Sequence, residues 1–133
     1  MGSEGKLGSD SADIVLVVED DPVIMRFLAI LLSDRGYQVA RAGNSIEALV
    51  ALTAPPAELP QAVILDLGLP LESGVSVLSF ARNVMRSALP FIILTARQDK
   101  DEEAAVRDLG VSAFLRKPAD AREVLDALAA AIR

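Results

Sequence analysis

Five short apolar runs punctuate the chain, and between them apolar residues recur at helical spacing. The runs are Ile14–Val18, Gln38–Ala42, Ala62–Leu65, Pro90–Leu94 and Ala113–Arg116, and each predicts a strand. Three of them (IVLVV, AVIL and FIIL) are nearly continuous, as expected of strands buried on both faces of a parallel sheet. Gln38–Ala42 alternates more and reads as an edge strand.

The intervening segments carry helix signals. After Pro22, suited to a first-turn position, Val23, Phe27, Ile30 and Leu31 recur at helix spacing until Gly36. Asn44 with Glu47, Asp99 with Glu102 and Asp120 with Glu123 each set a capping side chain three residues before a glutamate, which can bond back to the helix start. A helix over Val75–Arg86 carries Val77, Ala81 and Val84 inward, and the last helix buries Val124, Leu128 and Ile132. Residues 1–13 are polar and rich in Gly and Ser, reading as a disordered tail or an expression remnant.

Five strand–helix units predict a doubly wound parallel sheet whose strands all end along one edge. Ligands bind such sheets at that edge. The residues standing there are Glu19, Asp20 and Asp21 after the first strand, Asp66 after the third, Thr95 after the fourth and Lys117 after the fifth.

Composition narrows the chemistry. The 133 residues contain no Cys, His or Trp, so thiolate nucleophiles, zinc–thiolate sites and imidazole bases are excluded. A net charge of −6 and only one Tyr and four Phe argue against direct nucleic-acid binding. No apolar run approaches the roughly 20 residues of a membrane helix and no signal peptide opens the chain, so the expectation is a soluble, cytoplasmic protein without a membrane partner.

If the first and third strands are neighbours, Asp20 and Asp66 approach each other beside Glu19. Two such charges about 4 Å apart repel by about 4 kcal/mol at an effective dielectric near 20, so a compensating cation is expected. Oxygen-only ligands favour Mg²⁺ or Mn²⁺. Thr95 and Lys117 then suit phosphoryl oxygens, and the set fits phosphoryl transfer onto Asp66. Singly, each residue has a plainer explanation: the acidic triplet compensates a helix dipole, Asp66 begins a turn, Thr95 is an ordinary strand residue, and Lys117 is a solvated charge. Jointly, at four ends of one edge, coincidence explains them poorly.

The segments VVEDDP (Val17–Pro22), VILDLGLP (Val63–Pro70), Gly74, FIILTA (Phe91–Ala96) and FLRKP (Phe114–Pro118) together resemble a response-regulator receiver domain of two-component signalling, over essentially residues 14–133. The resemblance implies a flavodoxin-like five-stranded parallel sheet in the order 2-1-3-4-5 with five helices. It implies phosphorylation on Asp66 with Thr95 and Lys117 acting on the phosphoryl group, Mg²⁺ held by Glu19, Asp20, Asp66 and the backbone carbonyl of Gly68, and a switch through Thr95 and Phe114, with a cis peptide between Lys117 and Pro118. It further implies a sensor histidine kinase or phosphotransfer protein as donor, and a downstream effector domain or protein reached through the helix 4, strand 5 and helix 5 face. A phosphorylation-dependent dimer stays open, as does whether the receiver stands alone or belongs to a larger protein. Arg97, two residues past Thr95, sits where the family tunes phosphoryl lifetime. The chain departs from the pattern at Ser73, often acidic in the family, and in the turn Gly110-Val111-Ser112, which lacks the acidic residue of receivers that dimerise as winged-helix regulators. Such a domain is a phosphoacceptor rather than an enzyme. The alternatives are a Mg²⁺-dependent aspartyl-phosphate phosphatase, disfavoured by Gly68 where a second aspartate is wanted, and a receiver-like binding module independent of phosphorylation.

Overall fold

The computed structural model describes residues 13–132; the segment read as a tail lies, apart from Asp13, outside the described residues, as does Arg133. Strands β1 (Ile14–Val18), β2 (Gln38–Ala42), β3 (Ala62–Leu65), β4 (Phe91–Thr95) and β5 (Ala113–Arg116) alternate with helices α1 (Pro22–Ser33), α2 (Ser45–Leu52), α3 (Gly74–Ser79), α4 (Lys100–Leu109) and α5 (Ala121–Ile132). All strand pairs are parallel, in the order β2-β1-β3-β4-β5. Asp13 belongs with the sheet, its carbonyl accepting from the Gln38 N–H at 2.9 Å.

The continuous apolar strands are buried on both faces. Leu16, Val18, Val63, Leu65, Phe91 and Ile93 face α2, α3 and α4, meeting Ala48, Leu52, Val77, Leu78, Ala81 and Val106. Their neighbours in sequence, Val15, Val17, Ala62, Ile64, Ile92 and Leu94, face α1 and α5, meeting Met25, Leu28, Leu32, Val124 and Leu128. The period-two alternation of strand side chains thus divides the core into two layers.

Two local expectations are corrected, in β4 and at Val84. β4 runs one residue later than Pro90–Leu94, because Thr95 pairs with Arg116 and its carbonyl accepts from the Lys117 N–H at 3.0 Å. In α1 the stripe of Val23, Phe27 and Ile30 faces outward, at 75%, 45% and 53% exposure, whereas Met25, Leu28, Ala29 and Leu32 are buried. Apolar residues surround this helix, so spacing alone offers two stripes, and packing on the sheet selects the one that leaves Arg26 outside. Val84 is 65% exposed, not inward. The chain passes from α3 into a wider π turn over Phe80–Val84, with the Met85 N–H bonded to the Phe80 carbonyl at 3.0 Å. The wider turn rotates the following residues, so that Met85 packs on the core in place of Val84.

Arg82 ties this turn to the end of α4. Its guanidinium donates to the carbonyls of Ser87 at 3.0 Å and Gly110 at 2.8 Å, and Nε donates to the carbonyl of Leu109 at 3.2 Å. Among the described residues no helix is long and apolar enough to cross a membrane.

Candidate phosphoacceptor site

Strand register assembles the site. Val18 lies beside Leu65, so the next residues, Glu19 and Asp66, leave the sheet side by side. The Asp66 N–H continues the ladder to the Val18 carbonyl at 3.0 Å, and the Glu19 N–H does so to the Ala42 carbonyl at 2.9 Å. Glu19 and Asp66 are buried, Thr95 is fully buried, and Asp20 is exposed. Glu19, Asp20 and Asp66 each offer a carboxylate oxygen, and these lie within 4.8 Å of one another. This all-oxygen donor set can hold a hard metal ion.

The third member of the acidic triplet has a different task. Asp21 caps α1, accepting from the N–H of Val23 at 2.9 Å and of Ile24 at 3.4 Å. Helix compensation, the plainer explanation of the triplet, therefore holds for Asp21, while its two neighbours turn to the strand edge.

Lys117 enters between the carboxylates. Its Nζ lies 2.7 Å from Oε1 of Glu19 and 3.0 Å from Oδ2 of Asp66. This ammonium is part of the compensation that the acidic cluster requires, and its contact with Glu19 has no signature in the sequence. Burial pushes the Glu19 carboxyl above its ordinary value; hydrogen bonds from Lys117 and the Asp21 N–H oppose this, and the Asp66 charge adds to it. Burial would lower the Lys117 ammonium, but hydrogen bonds and charge from Glu19 and Asp66 outweigh it, and the group is held above its ordinary value.

Around Asp66 the backbone is close-fitted. The Gly68 N–H donates to Asp66 Oδ1 at 3.1 Å. A Cβ on Gly74 would stand 2.3 Å from the Asp66 carbonyl oxygen and 2.9 Å from Leu67 Cα, so only glycine fits there. On β4, Thr95 Oγ1 accepts from the Arg97 N–H at 3.1 Å. The Lys117–Pro118 peptide bond is cis.

Phe114, on β5, stands apart from the carboxylates. It is half-buried against the α2–α4 layer, with the guanidinium of Arg107 5.0 Å and that of Arg116 4.8 Å from its ring centre. Glu103 bridges both arginines, at 2.9 Å from Arg107. This cluster was not apparent in the sequence, because its members come from α4 and β5 at unrelated spacings. Beside Lys117 and Pro118 opens an apolar groove of about 620 Å³, lined on α1 by Val23, Ile24 and Phe27.

Parallel strands in the order 2-1-3-4-5, layered by five helices and carrying an acidic cluster where the strands end, define the receiver class of α/β domains. The family model of the response regulator receiver domain matches residues 15–129, and the chain belongs to that family. It is 42% identical over 120 residues to the transcriptional regulatory protein KdpE of Mycobacterium tuberculosis, covering 90% of this chain and 51% of that protein. It is 36% identical over 119 residues to the virulence transcriptional regulatory protein PhoP of Salmonella typhimurium, covering 90% and 51%. The chain thus spans about half the length of these curated relatives. A receiver protein from Pseudomonas putida superposes with a TM-score of 0.83 at 31% identity, covering 90% of this chain and 98% of that one. A receiver domain protein from Methanospirillum hungatei gives a TM-score of 0.85 over 92% and 94% of the two chains, at 24% identity a likeness of fold.

Proposed function

We propose that this receiver accepts a phosphoryl group on Asp66 from the phosphohistidine of a sensor kinase or phosphotransfer protein, and passes the change to an effector through α4, β5 and α5. The observation that carries the reading is the joint placement of Lys117 on Asp66 and Glu19, with the Thr95 hydroxyl on the adjoining strand. In transfer, the N–P bond of the donor breaks as a bond forms between an Asp66 carboxylate oxygen and phosphorus. The released imidazole then regains a proton from solvent. Lys117 pairs with the phosphoryl oxygens, and the Thr95 hydroxyl turns its proton toward them. Hydrolysis reverses the state: a water oxygen attacks phosphorus, phosphate leaves, and the Asp66 carboxylate is restored.

Glu19, Asp20 and Asp66, joined by the Gly68 carbonyl, would hold Mg²⁺, or Mn²⁺ in its place, and the oxygen-only donors fit either ion. Bound there, the ion would supply positive charge against the transferring phosphoryl group. The donor docks on the apolar groove, where exposed Val23 and Phe27 adjoin Lys117. Cytoplasmic residence follows from that partnership, and the effector is the remaining half of a KdpE- or PhoP-like regulator or a separate protein.

Intact-protein mass spectrometry tests this reading after incubation with acetyl phosphate and Mg²⁺, and in a second arm with a phosphorylated kinase. A single phosphoryl adduct is expected, absent in Asp66→Asn and with EDTA. No adduct in either arm would overturn the phosphoacceptor function.

A further inference from the structure

At the end of the sheet opposite the carboxylates, the turns leading into β4 and β5 border a cleft of about 430 Å³. Arg82, Ser87, Ala88, Pro90, Val111 and Ser112 line it, and no acidic side chain does, in a chain with a net charge of −6. Among the described residues no carboxylate pairs with Arg82, whereas Arg97, Arg107 and Arg116 each have one. Its guanidinium stands 5.1 Å from the centre of the Phe91 ring. Burial pushes it below its ordinary value, with no neighbouring acid to oppose the shift.

Capping α4 is the plainer task of Arg82, and it accounts for part of the guanidinium. The Nε proton is shared between the carbonyls of Leu109 and Gly110 at 3.2 and 3.3 Å, one Nη1 proton goes to Ser87 and one Nη2 proton to Gly110. A second proton on each of Nη1 and Nη2 has no acceptor among the described residues. The helix end, moreover, offers only about half a negative charge. Positive charge and two donors are therefore left over beside the cleft. Other donors surround them. Ser87 Oγ accepts from the Leu89 N–H at 3.0 Å, which leaves its hydroxyl proton to give. The Ser112 hydroxyl and the N–H groups of Ala88 and Val111 have no partner among the described residues.

We propose that this cleft binds a small organic phosphate monoester, its phosphoryl oxygens taken by the outer N–H groups of Arg82 and the hydroxyls of Ser87 and Ser112. A phosphate monoester brings a charge of about −1.5 to −2 and three strong acceptor oxygens, and a guanidinium fork suits phosphate in two-pronged fashion. The cleft is far larger than a bare phosphate ion and falls within the range of small-molecule sites, about 300–1,000 Å³. Pro90 and Val111 offer apolar surface to the carbon part of the ester. The site lies apart from Asp66 and needs no phosphoryl transfer. Because the same guanidinium holds the carbonyls that end α4, the ligand is felt at Leu109 and Gly110.

The full chain is titrated by heteronuclear NMR, in EDTA, with phenyl phosphate, with inorganic phosphate, and with sodium chloride at matched ionic strength. Saturable shifts of the Ala88, Val111 and Ser112 amides and of Arg82 Nε are expected with phenyl phosphate, at a Kd of about 1 mM or tighter. Inorganic phosphate is expected to bind about threefold more weakly or worse. Arg82→Ala would untie α4 as well, so the test uses Ser112, an exposed position. Ser112→Asp leaves every bond of Arg82 to α4 in place and sets a carboxylate in the cleft; it is expected to weaken the ester about tenfold or more. Ser112→Ala is expected to weaken it about two- to fivefold, and thermal melting checks that both variants are folded. Shifts that fail to saturate, that chloride reproduces, or that gather around Lys117 instead overturn the site, as does wild-type affinity in Ser112→Asp. Equal affinity for inorganic phosphate overturns the ester as the ligand class.

Discussion

Gly74 shows how one atom decides how closely the backbone can pack around Asp66. Its N–H donates to the Leu67 carbonyl at 2.9 Å, and the backbone of Asp66 fills the space a side chain would need. Gly74→Ala is expected to cost about 1–3 kcal/mol through overpacking, read as a lower urea midpoint, and to reduce the phosphoryl adduct because the Asp66 carboxylate is displaced. The motif was visible in the sequence; the reason for glycine was not, since the clash is with a residue eight positions earlier across a loop. Lys117 gives the same lesson. Its identity at a strand end announced a cation, but its bridge from Asp66 to Glu19 depends on the register of β1 against β3.

At the scale of elements, packing overruled periodicity at Val84 and chose between two apolar stripes on α1. Outward Phe27 on α1 lines the groove proposed above to receive the phosphodonor. Phe27→Asp is expected to slow transfer from a kinase at least tenfold while the acetyl phosphate adduct forms at its usual rate, because a buried charge at an interface is costly and a small donor needs no docking. Equal slowing with both donors would refute the docking surface. The tie between α4 and β5 through Glu103 has a pH signature. Hydrogen bonding from Arg107, aided by the charge of Arg116, holds the Glu103 carboxyl below its ordinary value of 4.5. A depressed carboxyl contributes stability at pH values above its unfolded value, and this is lost as pH falls through the folded one. Glu103→Gln is therefore expected to lower the melting temperature at neutral pH, with the gap to wild type closing as pH falls below the ordinary carboxyl value of 4.5. High salt narrows the gap as well, because the groups are partly exposed. A gap independent of pH would sink this account.

For the whole molecule, the balance of charge at the strand edge sets the response to metal. Three carboxylates face one ammonium there, so a divalent cation that binds the folded chain alone must stabilise it. At a hundredfold excess over Kd, Mg²⁺ is expected to add about 2.7 kcal/mol, on the order of 10 °C in Tm. Asp20→Asn, which removes the exposed carboxylate, reduces that gain, and an equal gain in this variant would place the ion elsewhere. Any inward turn of Phe114 would give up its contacts with Arg107 and Arg116, two cation–π contacts worth roughly 0.5–1 kcal/mol each at exposed sites. A swing from 1:99 to 99:1 requires about 5.5 kcal/mol of differential stabilisation, so these contacts are a modest part of the resting state's hold.

By itself the sequence determined the alternation of strands and helices, the buried character of β1, β3 and β4, and the set of polar residues that close the strands. Those features follow from local chemistry: apolar runs bury, Pro22 and Asp21 start a helix, and carboxylates do not end a strand inside a core without a partner. Only the tertiary structure decided which stripe of α1 meets the sheet, that Met85 replaces Val84 in the core, and that Glu102 serves Arg97 in place of its own helix cap. In each case two arrangements satisfied the local pattern. The choice fell to long-range contacts, since helix rotation, a π turn and an ion pair are set by what lies across the gap rather than by what lies next in the chain.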